Sequence, residues 1–177
     1  MITDYIERWA TIFREISHVP NGTPDEKRFY RVPSLFSGAS FCANLTHAQS
    51  PCVAVVTQND PKTSPDGRFW LWTHRIFIYV RQEGRFVQNA PTEEEAATAA
   101  KQKGIEIAQK LVAYMHADRR GRLPSGAPPN PQMEGLEDRA TVINEPAMYN
   151  GWWPTEVILY QAVPRDRCVC PNDYNPH

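Results

Sequence analysis

The chain has 177 residues, 41% hydrophobic and 22% charged, enough for one ordinary domain with a real core and little beyond it. Its 19 basic and 20 acidic residues nearly cancel, which argues against a general or sequence-specific nucleic-acid binder that would need a lysine and arginine excess against phosphates. No apolar run is long enough to cross a bilayer, and Asp4, Glu7 and Arg8 break the stretch where a signal peptide would be apolar, so a soluble cytoplasmic protein with no membrane partner is expected.

The first element is an amphipathic helix within residues 1–17. Tyr5, Ile6, Trp9, Ile12, Phe13 and Ile16 recur at spacings of three and four, with Thr3 placed as an N-cap. Residues 18–34 carry three prolines and a glycine and read as an irregular connection with an extended piece at FYRV. A strand pair is predicted over 52–82, from CVAVVTQ (52–58) and RFWLWTHRIFIYVRQ (68–82), which flank the turn-rich NDPKTSPDG. In the second strand Phe69, Leu71, Thr73, Arg75, Phe77 and Tyr79 share one face, and Trp70, Trp72, His74, Ile76, Ile78 and Val80 share the other. Both faces are partly apolar, whereas a sheet with one wet face alternates more cleanly.

A long helix over 92–120 follows. Thr92 and Glu95 form the capping-box pattern, the Glu93–Glu95 run suits the positive end of the helix dipole, and His116, Arg119 and Arg120 suit its other end. Gly121 supplies the stop. The expected buried stripe is Ala97, Ala100, Gly104, Ile107, Ala108, Leu111 and Met115, small at first so that a sheet can approach closely. Residues 121–135 are a proline-rich excursion, and a last strand pair is predicted over 140–165, with Asn150-Gly151 as a hairpin turn signal. Residues 166–177 form a C-terminal tail. Together these elements predict a single α+β domain over 1–177, a mostly antiparallel sheet with the long helix on one face and the N-terminal helix before it.

The sequence offers little catalytic chemistry. Cys168 and Cys170 could clamp zinc, with Cys42, Cys52, His47 or His177 completing the set, but the spacings are not those of two zinc knuckles. The thiols are expected to be reduced and metal-free, and no redox C-x-x-C is present. No serine lies in a G-x-S-x-G elbow, and the single glycine before the Glu93–Glu95 run makes no phosphate cradle. No cofactor and no catalytic residue are expected. A dispersed enzyme site is the rival reading, with His74, His116, Asp138 and Glu145 as the polar residues to test.

The runs FWLWTHRIFIYVRQ, TEEEAATAAKQKGIEIAQKLVAYM, TVINEPAM and WWPTEVILYQAV, in that order, resemble the tail-terminator and head-to-tail completion (neck) proteins of tailed bacteriophages and prophages. The resemblance lies in the layout of elements over residues 1–165. It implies a non-enzymatic virion-assembly protein that forms a ring, often hexameric, and meets tail-tube and head-connector subunits, in the cytoplasm of the bacterial host and then in the virion. The implied ring-building surfaces are the strand faces at 69–80 and 155–163 and the loops 59–67 and 121–139. Trp70, Trp72, Trp152, Trp153, Arg119 and Arg120 are the candidate contact residues. A protein-binding adaptor with an exposed aromatic patch is a further alternative.

Overall fold

The computed structural model describes residues 29–33, 37–46, 49–56, 61–82, 92–122, 126, 134–144 and 151–167. The N-terminal helix expected over 1–17 and the tail from 168 onward lie outside them. In chain order the elements are β1 (Phe29–Val32), α1 (Gly38–Ala43), β2 (Cys52–Val56), β3 (Lys62–Thr63), β4 (Phe69–Arg81), α2 (Glu93–Arg119), β5 (Leu136–Asn144) and β6 (Trp152–Pro164), closed by a 3₁₀ turn at Arg165–Arg167.

The strands form one sheet in the order β1-β2-β4-β6-β5, with β3 pairing β4 beside the main path. All pairings are antiparallel except β1 with β2. The fold is therefore α+β. Its spine is the β4–β6 ladder, which runs from Phe69↔Pro164 to Arg81↔Trp152. Both strands are dense in β-branched and aromatic residues, which pack well on a pleated surface.

Helix α2 seals one face. Val53, Val55, Ile76, Ile78, Val80, Val157 and Leu159 of the sheet meet Ala100, Ile107, Ala108, Leu111 and Met115 of the helix. Each large aliphatic side chain fully buried there contributes about 1.5–3 kcal/mol. The buried stripe begins at Ala96 and ends at Asp118, with Ala97 only half-buried, one position off the expected Ala97 start. Gly104 lets helix and sheet meet closely, since a Cβ there would collide with the Thr155 hydroxyl and lie 3.3 Å from the Thr155 Cβ. The capping box is complete: Thr92 Oγ1 accepts from the Glu95 amide at 3.2 Å, and the Glu95 carboxylate accepts from the Thr92 amide at 2.8 Å. The helix ends at Arg119 with Arg120 as its C-cap, and Gly121 follows with φ 61°.

Among the described residues the opposite face is covered at one end only. There Val32, Cys42, Cys52, Ala54, Val56, Tyr79 and Trp152 form a second core under α1. The Phe41 ring meets Tyr30 edge-on at 5.0 Å and Tyr79 at 5.2 Å, and burial pushes the Cys42 thiol up to about 12. Helix α1 is absent from the sequence expectations. It is one and a half turns long and shows little periodicity, although Ser37 sits as its N-cap, accepting from the Ser40 amide. The last strand pair also differs from expectation. β5 starts at Leu136, earlier than 140, and the register Asn144↔Thr155 needs a longer link than the two-residue turn that Asn150-Gly151 suggests.

Candidate interaction surface

Beyond the reach of α1, the second face of the sheet carries no covering element among the described residues. The N-terminal half of β4, the C-terminal half of β6 and the short β3 form an arm. On it Phe69 and Leu71 are exposed at 36% and 37%. Tyr160 and Ile158 are half-buried on the same side. Exposed aromatics and aliphatics gathered on one side of a strand pair are the usual mark of a contact surface.

The arm is also rigidly wired at its tip. Between β3 and β4 the Ser64 hydroxyl donates to Asp66 Oδ1 at 2.5 Å and accepts from the Phe69 amide at 3.0 Å. The Ser64 amide donates to the Phe69 carbonyl at 2.9 Å, and Gly67, with φ 70°, donates back to the Ser64 carbonyl at 2.9 Å. Only glycine takes that left-handed conformation without strain. Bonds from Ser64 and from the Arg68 amide hold the Asp66 carboxyl below its ordinary range. From the 3₁₀ turn after β6, Arg165 stacks its guanidinium 4.7 Å from the Trp70 ring, and its amide donates to the Arg68 carbonyl at 3.0 Å. An exposed surface held in one shape by its own bonds loses little freedom when a partner binds.

Polar groups divide this surface. Arg75 Nε donates to Glu156 Oε1 at 2.5 Å; the Glu156 side chain is 4% exposed and that of Arg75 50%. The Arg75 guanidinium also lies 5.2 Å from the Phe77 ring, and Arg139 lies 4.6 Å from that of Tyr160. Each guanidinium is attracted by the face of the ring it covers.

The candidate contact residues separate. Trp152 is fully buried and belongs to the second core. Trp153 packs against the first core, donates from Nε1 to Gln82 Oε1 at 3.0 Å and carries Lys101 over its ring at 4.3 Å. Trp72 stacks parallel to His74 at 6.4 Å, with its indole nitrogen buried and unbonded. Trp70 is on the arm under Arg165. Arg119 and Arg120 both bind Asp138 Oδ1, at 2.6 and 2.8 Å.

The residues of the dispersed-site reading are partly brought together. His116 Nδ1 lies 3.8 Å from Asp138 Oδ1, where Arg119 and Arg120 already hold the carboxylate. Loss of water pushes the Asp138 carboxyl up, but the two guanidinium groups outweigh this and hold it below its usual range. Burial, helped by Arg119, lowers the His116 pKa. His74 is buried, donates to Gln161 Oε1 at 3.1 Å, and has its pKa lowered by burial against the opposing effect of that bond. Gln161 in turn donates to the Glu134 carbonyl at 2.8 Å. Glu145, Cys168, Cys170, His47 and His177 lie outside the described residues. Among the described residues no cluster of three His, Cys, Asp or Glu side chains is placed to hold a metal ion, and no helix is long and apolar enough to cross a membrane.

Arg75, Glu156, Arg139 and Arg165 were not singled out from the sequence. A visible signal existed for Glu156, a lone charge within the otherwise uncharged TEVILY. The Arg165–Trp70 contact depends on a strand register that no local pattern reveals. No protein-family model matches the chain, and no curated protein matches it.

Proposed function

We propose that this chain is a structural, non-catalytic subunit of a tailed-bacteriophage or prophage tail, a tail terminator or head-to-tail joining protein. Its working surface is the open arm of the sheet. The observation that carries the reading is the asymmetry of the second face among the described residues: one end is sealed by α1, while the other presents Phe69 and Leu71 on a strand that follows a turn fixed by Ser64, Asp66 and Arg165. A two-faced sheet of this kind is completed by a neighbouring subunit, and head-to-tail contacts close into rings when the rotation allows. Self-association and contact with tail-tube or connector subunits both follow from that reading. The order of strand pair, long helix and strand pair supports it through the family resemblance.

Co-expression with the flanking genes tests it. The expected result is a ring-sized oligomer, or a complex with a neighbouring virion protein, that the double change Phe69→Lys and Leu71→Lys abolishes while the melting temperature holds. Flanking genes unrelated to virions, with the chain recovered alone, would overturn the proposal.

A further inference from the structure

β5 is the last strand of the sheet, paired to β6 on one side and, among the described residues, to nothing on the other. Its two halves are built differently. The first carries Glu137, Asp138 and Arg139 and is irregular, the register shifting between Leu136↔Gln161 and Ala140↔Leu159. Charge and irregularity are the usual means of keeping an edge strand from pairing. These charges are also tied up within the chain, Asp138 by Arg119 and Arg120, and Arg139 by Glu137 at 2.5 Å. The second half, Ala140–Asn144, is regular and uncharged. Thr141, Val142 and Ile143 are all exposed on it, Val142 at 38% and Ile143 at 36%. Among the described residues no blunting device protects this half.

We infer that the Ala140–Asn144 edge pairs antiparallel with the same edge of a second copy, about a twofold axis at Val142. The stretch is self-complementary, and the charge pattern selects its register. In this arrangement Val142 faces its own counterpart and Thr141 faces Ile143 of the other copy, so β-branched residues meet across the strands, a favourable pairing. Glu137, Asp138 and Arg139 of both copies fall outside the paired stretch. A parallel in-register pairing would set Glu137 and Asp138 beside their own counterparts, and an axis shifted to Ala140 would set Asp138 against Val142. Backbone groups of the outer edge, which bond to nothing among the described residues, would be satisfied in the same step. Five residues of strand contact are small beside the roughly 1,600 Å² of a stable interface, so the dimer is reversible and concentration-dependent. This contact uses the edge of the sheet, distinct from the open arm, and stands apart from the assembly role.

Sedimentation of the full chain over a wide concentration range, with Cys168→Ser and Cys170→Ser in place, gives the test. The wild-type edge is expected to show a monomer–dimer equilibrium that Val142→Lys shifts to monomer and Phe69→Lys with Leu71→Lys leaves alone. If Val142→Lys lowers the melting temperature, cross-linking decides instead. Val142→Cys should oxidise to a dimer, since residues facing each other across an antiparallel pair have Cα atoms about 4.5–5.5 Å apart, within disulfide reach. Thr141→Cys should cross-link when mixed with Ile143→Cys and poorly alone. A strict monomer at every concentration, a dimer lost through the arm changes instead, or equal cross-linking of Thr141→Cys alone and Val142→Cys would each overturn the inference.

Discussion

The two faces of the sheet come from the same strands and nearly the same residue types, yet among the described residues one lies under a long helix and the other under a short one. Under α2 the apolar positions of the central strands from Ile76 to Val80, with Val157 and Leu159, meet helix side chains, from Val80 near Gly104 to Leu159 in the cluster with Leu111 and Met115. On the opposite side α1 finishes the end around Trp152 and Tyr79, and nothing among the described residues covers the Phe69–Leu71 arm. Burial of similar residues therefore has different consequences: stability on the first face, availability for a partner on the second. The arm's internal wiring shows that its exposure is not looseness, because each turn of chain between Ser64 and Phe69 is bonded.

Mutations on the two faces should separate cleanly. The largest expected effect is Leu111→Ala, which leaves a cavity between α2 and the sheet and costs about 2–5 kcal/mol, whereas Leu71→Ala on the open arm changes stability by no more than about 0.5 kcal/mol. Denaturant titration of both variants checks the contrast. Next comes Arg75→Ala, which removes the ion partner of the buried Glu156 carboxylate and is expected to cost about 1–3 kcal/mol. Glu156→Gln should cost less, since it removes the charge that needs the partner. Gly104→Ala should destabilise by about 1–3 kcal/mol through overpacking against Thr155, and a second change, Thr155→Ala, should recover part of that loss. Thr92→Ala, which removes the cap of α2, is expected to cost about 1 kcal/mol.

The smallest expected effect is a pH dependence on the sealed face. His74 is buried, and its pKa lies below the ordinary 6.5. A histidine whose folded pKa is depressed adds stability that is complete above its unfolded pKa and is lost as pH falls through that value toward the folded one, because the unfolded chain then binds the extra proton. His116 has a shift of the same sign. Melting temperatures at pH 7.5 and 5.5 should therefore fall with acidity, and less steeply for His74→Gln. An equal slope in wild type and variant would remove His74 from the cause.

Much of this architecture is legible in the sequence, and the reasons are physical. The capping box of Thr92 and Glu95, the stop at Gly121 and the aliphatic stripe of α2 are local features spaced by the helix period, so they read directly. The alternation from Phe69 to Val80 places each side chain on its face correctly. What escaped notice was non-local or short. Helix α1 is too brief for periodicity, the early start of β5 is hidden by its charged, bulged first half, and the Arg75–Glu156 and Arg165–Trp70 contacts require strand registers set by the whole sheet. Tryptophan identity also says nothing about exposure by itself. Trp152 and Trp153 are neighbours in sequence, yet one is fully buried in the second core and the other lies on the α2 side under Lys101.

Co-purification with the products of the flanking genes, run in parallel for wild type and for the Phe69→Lys, Leu71→Lys double variant, tests most directly whether the open arm is the working surface. Wild type in a larger assembly, with the double variant folded at the same melting temperature but free, is the expected result. A variant that assembles as well as wild type would contradict it.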